Sequence, residues 1–147
     1  MSGLFAYGTL QHADVLCALL GGAPRPAAAA RLDGYRRGPL RGEPYPGILP
    51  ASEASTAGVL YTQLCREDFE ILDLFEGPVY ERIEVEVWLA EGGRARACAY
   101  EVRAEHRSRV APDAWSFERF CAKHASAYVQ SCRALRQQHL SRRRSAT

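Results

Sequence analysis

The chain has 147 residues, 47% of them hydrophobic and 24% charged, with a formal net charge of +2. That length suits one compact domain with a real core, and the near-neutral balance lacks the broad basic field that drives binding to nucleic acid or a membrane surface. No apolar run approaches the roughly 20 residues of a membrane-spanning helix. Gly3 to Leu10 is too short for a secretory leader and ends in a turn, so a cytoplasmic location is the expectation. Cys17, Cys65, Cys98, Cys121 and Cys132 are scattered with no C-x-x-C pair. That pattern suits reduced thiols in or near the core better than a zinc or redox centre.

Gly3 to Tyr7 reads as a first strand, and Gly8-Thr9 turns the chain. Ala13 to Leu20 has helical spacing at Val15, Leu16, Leu19 and Leu20, and Gly21-Gly22 stops it. Ala27 to Arg36 is ambiguous: its alanines favour helix, while the short reach from Pro26 to Gly34 suits an irregular strand. Arg37 to Pro50, rich in Gly and Pro, reads as an ordered loop. Thr56 to Leu64 alternates as a strand does, and Arg66 to Glu76 is a short helix. Tyr80 to Ala90 and Arg94 to Val102 form a hairpin across Glu91-Gly92-Gly93. Asp113 is placed to cap a last long helix, with Phe117, Phe120, Cys121 and Tyr128 on its apolar face. Arg142 to Arg144 then fall in a solvated basic tail, residues 141–147, behind a single domain over residues 1–140. Strands paired antiparallel and flanked by helices make an α+β pattern, with a small twisted sheet or partly closed barrel.

Two segments carry chemistry. In the helix from Arg66, Phe69, Leu72 and Glu76 share one face. Phe69 and Leu72 must face the core, so Glu76 turns inward with them, while Glu70 falls off that stripe. Gly77 provides the helix stop and Pro78 prevents continuation. Glu76 therefore sits in the last turn, where the helix dipole opposes a negative charge. Burial opposes it too, and Asp73 adds a like charge. All three raise its pKa and suit it to general acid/base work near neutrality. The competing reading is a helix-end glutamate that caps a loop or pairs with Arg82. Glu84 and Glu86 alternate with Ile83, Val85 and Val87 and take the solvent side of their strand.

The second segment is Tyr7-Gly8-Thr9-Leu10. A strand that ends in a small residue and a hydroxyl just before a helix can aim several backbone N–H groups at one carboxylate or phosphate. An ordinary turn, with Thr9 bonding locally, is the competing reading. His12 lies within reach of the same pocket and reads as a surface or helix-capping residue. No Ser/His/Asp order, phosphate-binding glycine loop or H-E-x-x-H zinc pair is present.

Together these motifs resemble the gamma-glutamylcyclotransferase-like family, in its short bacterial form. They are, in order, Leu4-Phe5-Ala6-Tyr7-Gly8-Thr9-Leu10, with its YGTL ending; Glu43-Pro44-Tyr45-Pro46-Gly47-Ile48-Leu49; Gly58-Val59-Leu60-Tyr61; and Leu72-Asp73-Leu74-Phe75-Glu76-Gly77 running into Tyr80-Glu81-Arg82. A tryptophan-led final helix, Trp115 to Phe120, follows, and the resemblance spans roughly residues 3 to 128. It implies a small mixed, mainly antiparallel β-barrel with flanking helices, and an enzyme that releases 5-oxoproline from a gamma-glutamyl-amine or related small compound. It further implies that Glu76 is the acid/base, that Tyr7, Gly8, Thr9 and Leu10 hold the gamma-glutamyl head group through their backbone, and that Tyr45 and Tyr80 line the pocket. No metal or organic cofactor is called for, and the implied partner is a small-molecule substrate, with neither nucleic acid nor membrane. The chain is too short for the extra elements of the glutathione-degrading branch. A non-catalytic module that binds a small carboxylated metabolite is the alternative of another class. The apolar side of the last helix suits either a homodimer or the core of a monomer.

Overall fold

In the computed structural model, which describes residues 2–146, the strands close on themselves: β1 (Ser2–Ala6), β2 (Ala27–Pro39), β3 (Pro46–Leu64), β4 (Tyr80–Leu89) and β5 (Arg94–Val102). Their order around the barrel is β1-β3-β2-β4-β5. β1 meets β5 in parallel, with Leu4 beside Cys98, and the other neighbours run antiparallel. This is the mixed, mainly antiparallel barrel that the resemblance implied.

The ambiguous alanine segment is strand. Pairing with β3 from Ala27–Tyr61 onward overrides alanine's helical preference. The expected loop from Arg37 to Pro50 is mostly hairpin, since β2 and β3 stay paired to Pro39 and Pro46. Gly and Pro mislead there because they mark close approach rather than an irregular path. Gly38 and Gly47 face each other across the hairpin. A Cβ on Gly38 would strike the Ala111 carbonyl, and one on Gly47 would strike Val102 and Leu40.

Helices α1 (Ala13–Leu20) and α2 (Arg66–Glu76) stand where the spacing put them. The last helix differs in two ways. It is split into α3 (Phe117–Lys123) and α4 (Ala125–Ala146), with His124 between them at φ −127°. Ser116, not Asp113, caps α3, its Oγ accepting the Arg119 N–H at 3.1 Å. The helix starts late because Trp115 is anchored, its indole N–H donating to the Pro44 carbonyl at 2.9 Å. α4 also continues through Arg142 to Arg144, where a polar tail was expected; Arg143 lies 3.6 Å from Glu70 of α2.

Alternation along β1 divides the core. Phe5 and Tyr7 point into the barrel with Leu32, Ile48 and Val87, while Leu4 and Ala6 face the helix layer with Val15, Leu19, Leu72 and Phe120. No described helix is long and apolar enough to cross a membrane. All five cysteines are unpaired.

Candidate active site

The end of β1, the β2–β3 turn, the end of α2 and the start of β4 surround a cavity of about 170 Å³. Glu76, Tyr7, Gly8, Thr9, Leu10, Tyr45 and Tyr80, the residues singled out from the sequence, all line it. Sequence reasoning missed Tyr100 on β5 as a wall residue, and it read Tyr128 only as part of an apolar helix face. Tyr128 reaches the cavity just beyond the helix break at His124, where its ring meets Phe120 edge-on at 4.9 Å and Phe75 at 6.4 Å.

Glu76 keeps partial exposure because it borders the cavity, yet protein surrounds its carboxyl deeply enough to deny it hydration. Burial, then the negative charge of Asp73, push its pKa up to about 8. No hydrogen-bond or ion-pair partner meets that carboxyl among the described residues. Arg82, its possible partner from sequence, sits 3.6 Å from Asp73 and over the Phe69 ring instead. Asp73 also accepts the Tyr100 hydroxyl at 2.7 Å. The two acids of the last helical turn thus part company: Asp73 is satisfied at the surface, and Glu76 is left unpaired in the cavity.

Two of the wall phenols are committed to carbonyls. Tyr7 donates to the Tyr100 carbonyl at 2.6 Å, and Tyr80 to the Pro46 carbonyl at 2.7 Å. Behind the wall, Tyr61 donates to the Leu10 carbonyl at 2.9 Å. Burial raises the pKa of all three, so they remain neutral donors that brace the surrounding backbone.

After β1 the chain makes a 3₁₀ turn over Thr9–Gln11. Its hydrogen bonds begin with the Gln11 N–H to the Gly8 carbonyl at 3.1 Å and the His12 N–H to the Thr9 carbonyl at 3.2 Å. The N–H groups of Gly8, Thr9 and Leu10 precede that ladder, as the first donors of any helical turn do. Gly8 has φ −125°, so its value lies in space: an added Cβ would stand 3.0 Å from Pro46 across the cavity wall. His12 does not join the cavity. It precedes α1 without a side-chain capping bond and lines a separate cleft with Cys17 and Cys121. Cys132 is buried, and burial followed by the charge of Glu76 pushes its thiol up to about 12, which leaves it unreactive.

Comparison with known proteins gives a consistent picture. The family model described as gamma-glutamyl cyclotransferase, AIG2-like, matches residues 4–117. AIG2-like protein D of Arabidopsis thaliana is 29% identical over 132 residues, spanning 88% of this chain and 86% of its own. AIG2-like protein B of the same plant is 26% identical, over 89% and 76%. A solution structure from Arabidopsis thaliana superposes with a TM-score of 0.69 at 26% identity, over 94% of this chain and 83% of that one. A yeast gamma-glutamyl cyclotransferase specific to glutathione shares the fold, with a TM-score of 0.57 at 15% identity over 94% and 97%.

Proposed function

Because the chain belongs to the AIG2-like gamma-glutamyl cyclotransferase family, we propose that it releases 5-oxoproline from a small gamma-glutamyl compound, a gamma-glutamyl-amine being the first candidate. One observation carries the reading: an unpaired carboxyl of raised pKa shares a small cavity with a turn whose first N–H groups lie outside its own hydrogen-bond ladder.

Glu76, as carboxylate, takes a proton from the substrate's alpha-ammonium group. The freed amine attacks the gamma-carbonyl carbon of the same molecule and closes a five-membered ring. Holding the folded conformer supplies much of the rate, since the attack is intramolecular. Protonated Glu76 then gives its proton to the departing amine as the C–N bond breaks, and the ring nitrogen returns its surplus proton to the freed carboxylate, which passes it to solvent and leaves 5-oxoproline. A pKa of about 8 suits both halves of that exchange, because the group gives and takes a proton at similar cost near neutrality. No arginine or lysine side chain lines the cavity among the described residues. The substrate carboxylate and the developing oxyanion therefore rely on peptide N–H groups of Gly8, Thr9 and Leu10. Tyr45 and Tyr80 shape the wall rather than carry the proton.

Glu76→Gln tests the assignment. The variant is expected to keep the fold and bind 5-oxoproline, while 5-oxoproline release from a gamma-glutamyl-amine library drops at least about a thousandfold. Turnover at the wild-type rate would remove Glu76 from the chemistry. Thermal stabilisation of the wild type by 5-oxoproline, with no product from any member of the library, would favour a metabolite-binding module.

A further inference from the structure

Arg37 lies on β2, half-buried and outside the cavity. Its Nη1 donates to the Tyr7 carbonyl at 2.8 Å and to the Ala57 carbonyl at 3.2 Å. The guanidinium carbon stands 5.6 Å from the centre of the Trp115 ring, and Trp115 in turn donates to the Pro44 carbonyl. No carboxylate pairs with Arg37 among the described residues. A cation desolvated without a counter-charge is costly to keep, and tying two strands together does not require one.

What it holds is specific. Gln11 Nε2 donates to the same Tyr7 oxygen at 2.9 Å. Both lone pairs of that carbonyl are thus engaged, and the plane of the Tyr7–Gly8 peptide is fixed. The bond is trans, so the Gly8 N–H points away from Arg37 and Gln11. Neither of those side chains lines the cavity, whereas Tyr7 and Gly8 both do. A positive charge on the carbonyl also polarises the peptide and strengthens its N–H as a donor.

We infer that Arg37 is a positioning residue: through the Tyr7 carbonyl it orients and polarises the peptide whose N–H receives the substrate's anionic head group, and through Trp115 and Pro44 it fixes the Tyr45-Pro46 wall to the same frame. This rests on the reading of the turn as the head-group site. Sequence reasoning passed over Arg37 because it sits in the stretch read as a loop, 30 residues from Tyr7 in the chain.

The experiment compares wild type, Arg37→Met, Arg37→Lys, Gln11→Met and Glu76→Gln. It measures 5-oxoproline affinity by calorimetry, the amide resonance of Gly8, and KM and kcat against pH. Arg37→Met, which keeps the stem against Trp115, should weaken 5-oxoproline binding and raise KM about tenfold or more, the range of outer partners that orient a ligating group. It should also move the Gly8 amide resonance and leave the acid limb of the pH profile in place. Arg37→Lys should recover part of the loss. Unchanged affinity and KM in folded Arg37→Met overturns the inference alone, since Glu76→Gln tests the chemistry separately. If Arg37→Met does not fold, Gln11→Met removes the other donor from the same oxygen, and wild-type affinity there overturns it. Wild-type protein that neither binds nor releases 5-oxoproline overturns the head-group reading and this inference together.

Discussion

Glu76 is the residue at which stability and chemistry pull in opposite directions. In the proposed mechanism its carboxylate is the base, so kcat/KM should rise with pH and reach half its plateau near the pKa of about 8. Asp73→Asn removes the like charge on the same helical turn and should move that acid limb to lower pH; a limb that stays put means the raised pKa comes from burial alone. The linkage to folding has a definite sign. The folded pKa of about 8 lies above the unfolded value of about 4.3. Between those pH values the folded chain holds a proton that the unfolded chain has lost, so this contribution to stability is full below the unfolded pKa and disappears as pH rises through the folded one. Glu76→Gln should therefore gain stability over wild type as the pH goes from 5 to 8.5, by roughly 4 °C or more in Tm, the equivalent of about 1 kcal/mol in a chain of this size. A constant difference in Tm would show that the charge is compensated. The inward turn of Glu76 and the nearness of Asp73 were readable because both are matters of helical spacing. The preference of Arg82 for Asp73 was not readable, because both acids of the last helical turn lie within its reach, and the hold of Arg37 on Tyr7 was not, because it joins residues 30 apart.

At the scale of elements, local signals succeeded where they acted locally. Gly21 and Gly77 end α1 and α2 at the expected residues, with Gly77 at φ +77°. Gly38 and Gly47 misled between Arg37 and Pro50, where crowding across a hairpin demanded them, while Gly42 at φ +79° does serve the turn. The start of α3 was misplaced for a similar reason, since the distant Trp115–Pro44 bond holds the chain extended past Asp113. The cap makes a direct test. Ser116→Ala should lower stability by about 1 kcal/mol, and Asp113→Ala, at an exposed position without a helix to cap, should change it little. Thermal or urea denaturation of the pair decides; an equal loss from both would return the cap to Asp113.

For the whole molecule, hairpin signals foretold β4 with β5, but not the order around the barrel, because β1–β3 and β1–β5 pairing depend on contacts between remote segments. β1 is the stave that closes the ring: its neighbours are β3 and β5, and without it both would present open edges. A chain lacking residues 1–6 should aggregate or self-pair, detectable by light scattering; a monomeric, folded product would show that closure is dispensable. β1 also leads directly into the cavity wall at Tyr7. Of the five strands β1 is synthesised first, so it must wait for β5, synthesised much later, before it can lock beside Cys98. Sealing the ring and completing the cavity wall then coincide, because Tyr7 after β1 donates to the Tyr100 carbonyl of β5, so a nascent or partly melted chain has no half-built pocket to offer the proposed substrate.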